Sequence, residues 1–352
     1  MMQTNIASWM DLAEAEAADQ AKALGLPAFR GRQIWSWLHL KHVTSYDQMT
    51  DLPQALRAEL EQSAPLQMPV AAGVQRSKID GTVKYLFEMP DGCLIESVLM
   101  RYQHGYTVCV SSQVGCKMGC KFCASTLDGW ERDLLPGEML GQVYAIEREE
   151  QVQVSNIVVM GCGEPFDNYD NVLKFLQILH EPKGQNMSYR NMTVSTCGLL
   201  EPLRRWTKEA PPVTLAISLH APNDQVRRQM MPIANRVSMQ ELLEACRAYT
   251  QETNRRVTFE YALAEGVNDS PRQAEELADR LHDLLCHVNL IPVNPVTERT
   301  LRGPAQKRVQ AFRKVLEEKH IPVTVRRELG ADIDGACGQL RRHYRQETEV
   351  NP

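Results

Sequence analysis

Three cysteines, Cys116, Cys120 and Cys123, stand in the run Gly115-Cys116-Lys117-Met118-Gly119-Cys120-Lys121-Phe122-Cys123, a C-x3-C-x2-C spacing within a glycine-bearing loop. Thiolates so close in sequence can converge on one centre, and the loop's backbone N–H groups can hydrogen-bond inorganic sulfide. A structural zinc site is the plainer reading. Such a site usually takes four protein ligands in paired motifs, and no histidine adjoins this loop to complete one. Four-iron clusters are generally held by four cysteines. Three would leave one iron open to a small molecule, as catalytic metals keep an open position. The expected metal ligands are therefore Cys116, Cys120 and Cys123.

A second group follows one element later. Gly161-Cys162-Gly163-Glu164-Pro165 succeeds the apolar run Asn156–Met160. Glycines at a strand end let a ligand approach the backbone, and the Glu164 carboxylate suits an ammonium. Later apolar runs end in Ser195, then Ser218 with His220, then Asn294. One such polar residue is more often a turn or helix cap. Repeated at successive strand ends, they fit a cofactor ring.

These residues need a scaffold that brings strand ends together. Strands are expected at Val108–Ser111, Asn156–Met160, Met192–Thr196, Val213–Leu219, Val257–Tyr261, Val288–Val293 and Val323–Arg326. Helical patterns such as Asn171–Leu179, Met239–Gln251 and Pro271–Leu285 separate most of them. This β-then-α alternation implies an α/β fold, a parallel sheet or barrel with helices outside. Chemistry in such folds gathers at the C-terminal ends of the strands. Before this core, Asp80-Gly81 and Asp91-Gly92 mark turns around two strands, Val83–Met89 and Cys93–Met100. In the latter Leu94, Glu96, Val98 and Met100 share a face. Glu96 is thus a carboxylate on an otherwise apolar face, which an edge strand facing water would explain. Residues 1–65 read as helical, with Ile34, Trp37 and Leu38 on one face.

Composition narrows the class. The chain has 352 residues, 43% hydrophobic and 24% charged, as in a globular protein. No apolar run reaches the ~18 residues of a membrane span. The acidic N-terminus lacks the basic-then-apolar order of an export signal, so a cytoplasmic location is expected. Ten cysteines in such a chain favour metal or redox chemistry over a disulfide framework. The net charge of -5 argues against nucleic-acid binding by bulk charge but leaves room for a local basic surface. Arginine pairs at 204–205, 227–228, 255–256, 326–327 and 341–342 are candidates, each weak alone.

The cysteine spacing, with Phe122 just before the third cysteine, resembles the radical S-adenosylmethionine superfamily. Further segments are similar to its RlmN/Cfr family of RNA adenine methyltransferases: Cys109–Cys116, Met160–Pro165, Ser218-Leu219-His220 and Gly330–Leu340. Gly163-Glu164-Pro165 and Phe122–Thr126 look more like the branch that methylates carbon 2 than the one that methylates carbon 8. One departure is Cys162, where the family commonly has methionine, which adds an oxidisable thiol.

The resemblance implies a partial (β/α) barrel with a small helical N-terminal domain and a β extension. It implies one 4Fe-4S cluster and S-adenosylmethionine, two per turnover, with Gly163, Glu164, Ser195, Ser218, Leu219, His220 and Asn294 at the cofactor. It implies Cys337 as the methyl carrier, Glu96 as the base that removes the ring proton, and Cys109 as the thiol that resolves a protein–RNA crosslink through a transient disulfide. The substrates implied are an adenosine of 23S ribosomal RNA at the peptidyl transferase centre and the adenosine 3′ of the anticodon in some transfer RNAs. A flavodoxin- or ferredoxin-like electron donor, a monomer and no membrane partner complete the expectation. Cys93, Cys197, Cys246 and Cys286 are expected to be inert core residues, the last at a helix end. The domains are expected at 1–65 (helical, RNA-binding), 66–105 (β-rich, with Glu96), 106–345 (core and catalytic segment) and 346–352 (tail). Gln113 and the tail Arg341–Arg345 are further candidate RNA grips. The alternatives are a carbon 8 methyltransferase conferring antibiotic resistance and a non-catalytic zinc RNA-binding protein.

Overall fold

The apolar runs of the core become parallel strands flanked by helices, the central ones buried on both faces. In the computed structural model, which describes residues 8–296, 298–333, 339–342 and 344, Leu215, Ala216 and Ile217 have no exposure. The N-terminal helices are α1 (Glu14–Ala23), α2 (Ala28–His39) and α3 (Gln54–Ser63). Then come β1 (Val70–Arg76), β2 (Val83–Glu88), β3 (Leu94–Tyr102), β4 (Gly105–Cys109), and the short β5 (Gln113–Gly115) and β6 (Trp130–Asp133). The alternation follows: α4 (Pro136–Glu150), β7 (Val154–Val159), α5 (Tyr169–His180), β8 (Met192–Thr196), α6 (Leu200–Glu209), β9 (Thr214–Ser218), α7 (Asp224–Met230), α8 (Met239–Thr253), β10 (Val257–Leu263), α9 (Pro271–Leu281), β11 (Cys286–Pro292), α10 (Gln306–Glu318) and β12 (Val323–Val325).

Ten strands form one sheet in the order β1-β2-β3-β4-β7-β8-β9-β10-β11-β12, with β5 and β6 a separate pair. Pairing is antiparallel from β1 to β4 and parallel from β4 to β12. The sheet is an open, partial barrel. Its two ends are tied through loops: Gly330 N donates to Asp80 Oδ2 (2.8 Å) and Ser77 Oγ to Asp332 Oδ1 (2.6 Å). Local chemistry sets the helix starts. Ser238 and Ser270 cap α8 and α9 with capping boxes, and Pro271 takes the first position of α9. That helix ends at Leu281, and Cys286 opens β11 rather than closing a helix. The apolar residues between belong to a turn and the next strand, which helical periodicity alone does not separate.

The helical domain packs on the core through named contacts. Asp11 Oδ1 accepts from Gly137 N at the start of α4 (2.7 Å), where a carboxylate also meets the positive end of the helix dipole. His42 stacks on Tyr144 with ring centroids 3.8 Å apart. On α2 the buried face is Gly31, Ile34, Trp35 and Leu38. Trp37 instead turns outward, its Nε1 on Asp51 and Lys41 over its ring. Residues 34, 35, 38 and 34, 37, 38 share a helical stripe equally well. Packing of Gly31 against the Ala17 carbonyl, where any Cβ would clash, selects the first set. No described helix is long and apolar enough to cross a membrane.

Burial leaves an acid-sensitive signature here. It pushes His39 down to about 3 and His220 to about 3, against 6.5 for a free imidazole. Below pH ~6.5 the unfolded chain takes up protons that these folded imidazoles refuse. Each therefore removes stability as pH falls from ~6.5 toward ~3, at about 1.4 kcal/mol per pH unit. The buried carboxyls Glu147, Glu164 and Glu260, which burial raises, run the other way. The expected result is a difference: between pH 6.5 and 5, His39→Gln loses unfolding free energy less steeply than wild type by about that slope. Parallel slopes in urea titrations would exclude it.

Candidate active site

The cysteine loop leaves β5 at Gly115, whose φ of +76° and contact with the Gly129 carbonyl leave no room for a side chain. Cys116 N donates to Gly129 O and Lys121 N to Met230 O, both at 2.8 Å, which fix the loop against β6 and the end of α7. Thr126 Oγ1 reaches the carbonyls of Cys120 (3.2 Å) and Cys123 (3.1 Å), and Arg299 Nη2 donates to the Cys123 carbonyl and to Thr126. All three cysteines line one cavity of about 660 Å³, a volume usual for cofactor sites.

The donor set fits an iron–sulfur cluster. Burial pushes the Cys116 and Cys120 thiols up to about 12, so they become thiolates only with a cation to balance them. The three cysteines line one cavity, as a cluster in which each iron takes one thiolate requires.

The strand ends supply the other walls. Gly163, Glu164, Ser195, Ser218, His220 and Asn294 all line this cavity. Gly163 has φ +111°, and a Cβ there would meet Gln113 and Ser112. Glu164 is buried, and burial raises its pKa, opposed by the Thr196 hydroxyl and two backbone N–H groups. Its oxygens accept from Phe166 N (3.0 Å) and Cys197 N (2.8 Å), so it staples the end of β7 to the end of β8. His220 Nδ1 accepts from Ala262 N (2.9 Å). With the ring neutral, its proton therefore sits on Nε2. Leu219, also expected at the cofactor, has a buried side chain, and its N–H donates to the Glu260 carbonyl.

The opposite wall comes from the β extension. Thr82, Lys84, Val98 and Met100 line the cavity, and so does Cys109 at the end of β4. Glu96 does not face water. Its strand is internal, between β2 and β4, and the side chain is buried. Lys84 Nζ lies 3.0 Å from Glu96 Oε2, with Lys84 fully buried. Glu96 Oε1 accepts from Arg341 N at 2.7 Å. The Lys84 ammonium thus stands at the cavity wall with the Glu96 carboxylate behind it.

Cys337 lies outside the described residues. In sequence it falls between Ile333, which lines the cavity, and Arg341, which binds Glu96. No disulfide joins any of the nine described cysteines. Cys162 is buried and burial raises its pKa strongly, which makes it a protected thiol. Cys197, expected to be an inert core residue, lines the cavity. Gln113, expected as an RNA grip, is fully buried. Its Oε1 accepts from Glu164 N and its Nε2 donates to Asp133 and Asp167.

Sequence reasoning missed Lys84, Glu260 and the burial of Arg227. Glu260 lines the cavity and accepts from Asn289 Nδ2 (2.8 Å). Arg227 is fully buried, with Nη2 on the Cys197 carbonyl at 2.8 Å. The available signal was a charge inside an apolar run, as in Val83-Lys84-Tyr85 and Phe259-Glu260-Tyr261.

Comparison with known proteins agrees with this geometry. Residues 110–281 match the radical SAM superfamily, and residues 8–66 match the ribosomal RNA large subunit methyltransferase N-terminal domain. The chain is 51% identical to a probable dual-specificity RNA methyltransferase RlmN from Lachnospira eligens, over 93% of each protein. It is 50% identical to the protein so described from Desulforamulus reducens, over 95% of each. The crystal structure of a radical SAM methyltransferase from Sphaerobacter thermophilus superposes with a TM-score of 0.91 at 46% identity, covering 94% of this chain and 98% of that one.

Proposed function

Since the chain belongs to the RlmN family of radical SAM RNA methyltransferases, we propose that it methylates carbon 2 of an adenosine in 23S ribosomal RNA and of the adenosine 3′ of the anticodon in some transfer RNAs. The observation that carries this reading is the convergence of the cysteine loop, the strand-end polar residues, Cys109 and Lys84, with Glu96 paired behind it, on one cavity. An aromatic ring carbon is no nucleophile toward a sulfonium methyl group. When bound, a four-iron cluster with S-adenosylmethionine supplies the one-electron chemistry that this carbon demands.

The chain's own residues do the rest. Cys116, Cys120 and Cys123 hold the cluster. Gly163, Glu164, Ser195, Ser218, His220 and Asn294 orient the cofactor, with His220 presenting its Nε2–H. Val98, Met100 and Val159 give the cavity apolar walls. Cys337 carries the methyl group as a thioether and passes its carbon to the base. Glu96, fixed by Lys84 and the Arg341 N–H, removes the ring proton. Cys109 then attacks the Cys337 sulfur: the S–S bond forms as the bond from that sulfur to the linking methylene breaks, the electron pair goes to the carbon, and a proton taken up there completes the methyl group of the released RNA, leaving a Cys109–Cys337 disulfide. The helical segment 1–65 serves RNA binding. The protein works as a cytoplasmic monomer supplied by a flavodoxin- or ferredoxin-like donor, with two molecules of S-adenosylmethionine per turnover.

The test is base analysis of 23S ribosomal RNA and transfer RNA after anaerobic reaction. Wild type is expected to give 2-methyladenosine. Cys337→Ala is expected to cleave S-adenosylmethionine and leave RNA unmethylated. Methylated RNA from Cys337→Ala would remove the carrier thiol. 8-Methyladenosine would establish the other regiochemistry.

A further inference from the structure

The reaction above requires the target adenosine to leave its stack and enter a buried cavity. The nucleotides on either side of it then stay at the mouth, and their negative phosphates must be met there. In a chain of net charge -5 most arginines cannot do this. Arg204 and Arg205 pair with Glu201, Asp170 and Glu209. Arg341 and Arg342 pair with Glu131, Asp128 and Glu298. Arg227 is buried. Arg256 precedes β10, at the end of the barrel away from the cavity.

The remaining pair behaves differently. Arg326 and Arg327 follow β12, are exposed, and line the cavity mouth. Arg327 also lines a second, open depression with Asp80, Arg101, Tyr102, Gln103 and His104. The two spaces therefore share a wall. Among the described residues no ion pair or hydrogen bond engages the Arg101 or Arg327 guanidinium, and both are exposed. The carboxylate in the depression, Asp80, is already used: its oxygens accept from Thr82 N and Gly330 N.

An aromatic surface completes the depression. Tyr102 and His104 sit at the turn between β3 and β4, and their rings stack with centroids 5.1 Å apart and planes 10° apart. His104 is exposed and backed by the half-buried Tyr102. Tyr102 lies two residues beyond Met100 on the same strand, so it extends the face of β3 that lines the cavity. A stacked ring pair beside unpaired guanidinium groups is the equipment that single-stranded nucleic acid meets: a π-face for a base, cations for its phosphates.

We infer that Arg101, Tyr102, His104 and Arg327 form a subsite for the nucleotide next to the target adenosine, whose base stacks on His104 and whose phosphates lie between Arg101 and Arg327. This rests on the RNA reading proposed above. The subsite contributes to RNA binding through Arg101, Tyr102 and His104, which do not line the main cavity, and through Arg327, which lines both spaces.

The experiment uses reconstituted full-length enzyme and a fluorescein-labelled anticodon stem–loop RNA carrying the target adenosine. His104→Ala and the pair Arg101→Gln/Arg327→Gln are each expected to raise the RNA KM and the anisotropy Kd by about tenfold. For His104→Ala and for Arg101→Gln alone, whose residues do not line the main cavity, kcat at saturating RNA and RNA-independent cleavage of S-adenosylmethionine should stay at wild-type values. The arginine variant should lower the slope of log Kd against log salt by about one for each phosphate that it no longer neutralises, whereas His104→Ala should leave it unchanged. Arg256→Gln serves as the control for general charge loss. Unchanged KM and Kd, or a fall in kcat alone, overturns the subsite. An equal loss in Arg256→Gln reduces it to bulk electrostatics and overturns it also. A wild-type enzyme that cleaves S-adenosylmethionine but never methylates this RNA or 23S ribosomal RNA overturns the RNA reading itself, a distinct failure.

Discussion

Anaerobically reconstituted wild-type protein binds about four irons per chain, and Cys116→Ala, Cys120→Ala or Cys123→Ala each reduces iron retention and cofactor cleavage to background. The expected loss is total because no other described thiol is placed to substitute. Cys109 and Cys197 line the same cavity, but both sit at strand ends fixed by ladder and staple hydrogen bonds. Cys162 is buried, with its thiol held protonated. The loop itself survives the substitution, since its position depends on the Gly129, Met230 and Thr126 contacts rather than on the sulfurs. The variants should therefore fold, show wild-type circular dichroism and lack the brown absorbance. One zinc per wild-type chain and no iron would remove the radical reading. Full iron retention in any single alanine variant would remove that cysteine from the ligand set.

Lys84→Met is the second large effect, and it acts first on stability. The ammonium is fully buried 3.0 Å from Glu96 Oε2, so its removal leaves a buried carboxylate facing an apolar thioether. Breaking one partner of such a pair costs about 3–5 kcal/mol. In a chain of this size that lowers the thermal midpoint by on the order of 10 °C. Glu96→Gln placed in the Lys84→Met background removes the stranded charge and should recover most of that loss. The cycle of the two single variants and the double gives a coupling of about 3 kcal/mol. Activity does not follow stability: RNA methylation stays low in Lys84→Met/Glu96→Gln although the fold is restored, while cofactor cleavage persists. Additive losses in urea denaturation would mean the pair is not coupled. Restored methylation in the double variant would remove Glu96 as the base.

The cysteine ligands were legible without a structure because their chemistry is local: three thiols within eight residues need only a turn to converge. The core strands were legible for a related reason. A parallel strand buried on both faces must be an apolar run, and polar residues at its end mark the rim where a ligand sits. That logic placed Gly163, Glu164, Ser195, Ser218, His220 and Asn294 at one cavity.

What only the tertiary structure decided was partnership between elements. Glu96 reads as a water-facing charge until β3 is seen between two neighbours. Lys84 becomes its counter-ion because β2 pairs with β3 in the register Leu86↔Glu96 and Lys84↔Val98, which sets the two charges diagonally on one face. The five arginine pairs look alike in sequence. The fold pairs Arg204, Arg205, Arg341 and Arg342 with carboxylates, sets Arg227 and Arg255 on carbonyls, keeps the exposed Arg228 and Arg256 out of the cavity lining, and leaves Arg326 and Arg327 at the mouth. Register, facing and charge pairing are relations between residues far apart in the chain, set by which surfaces pack together, and no short stretch of sequence contains them.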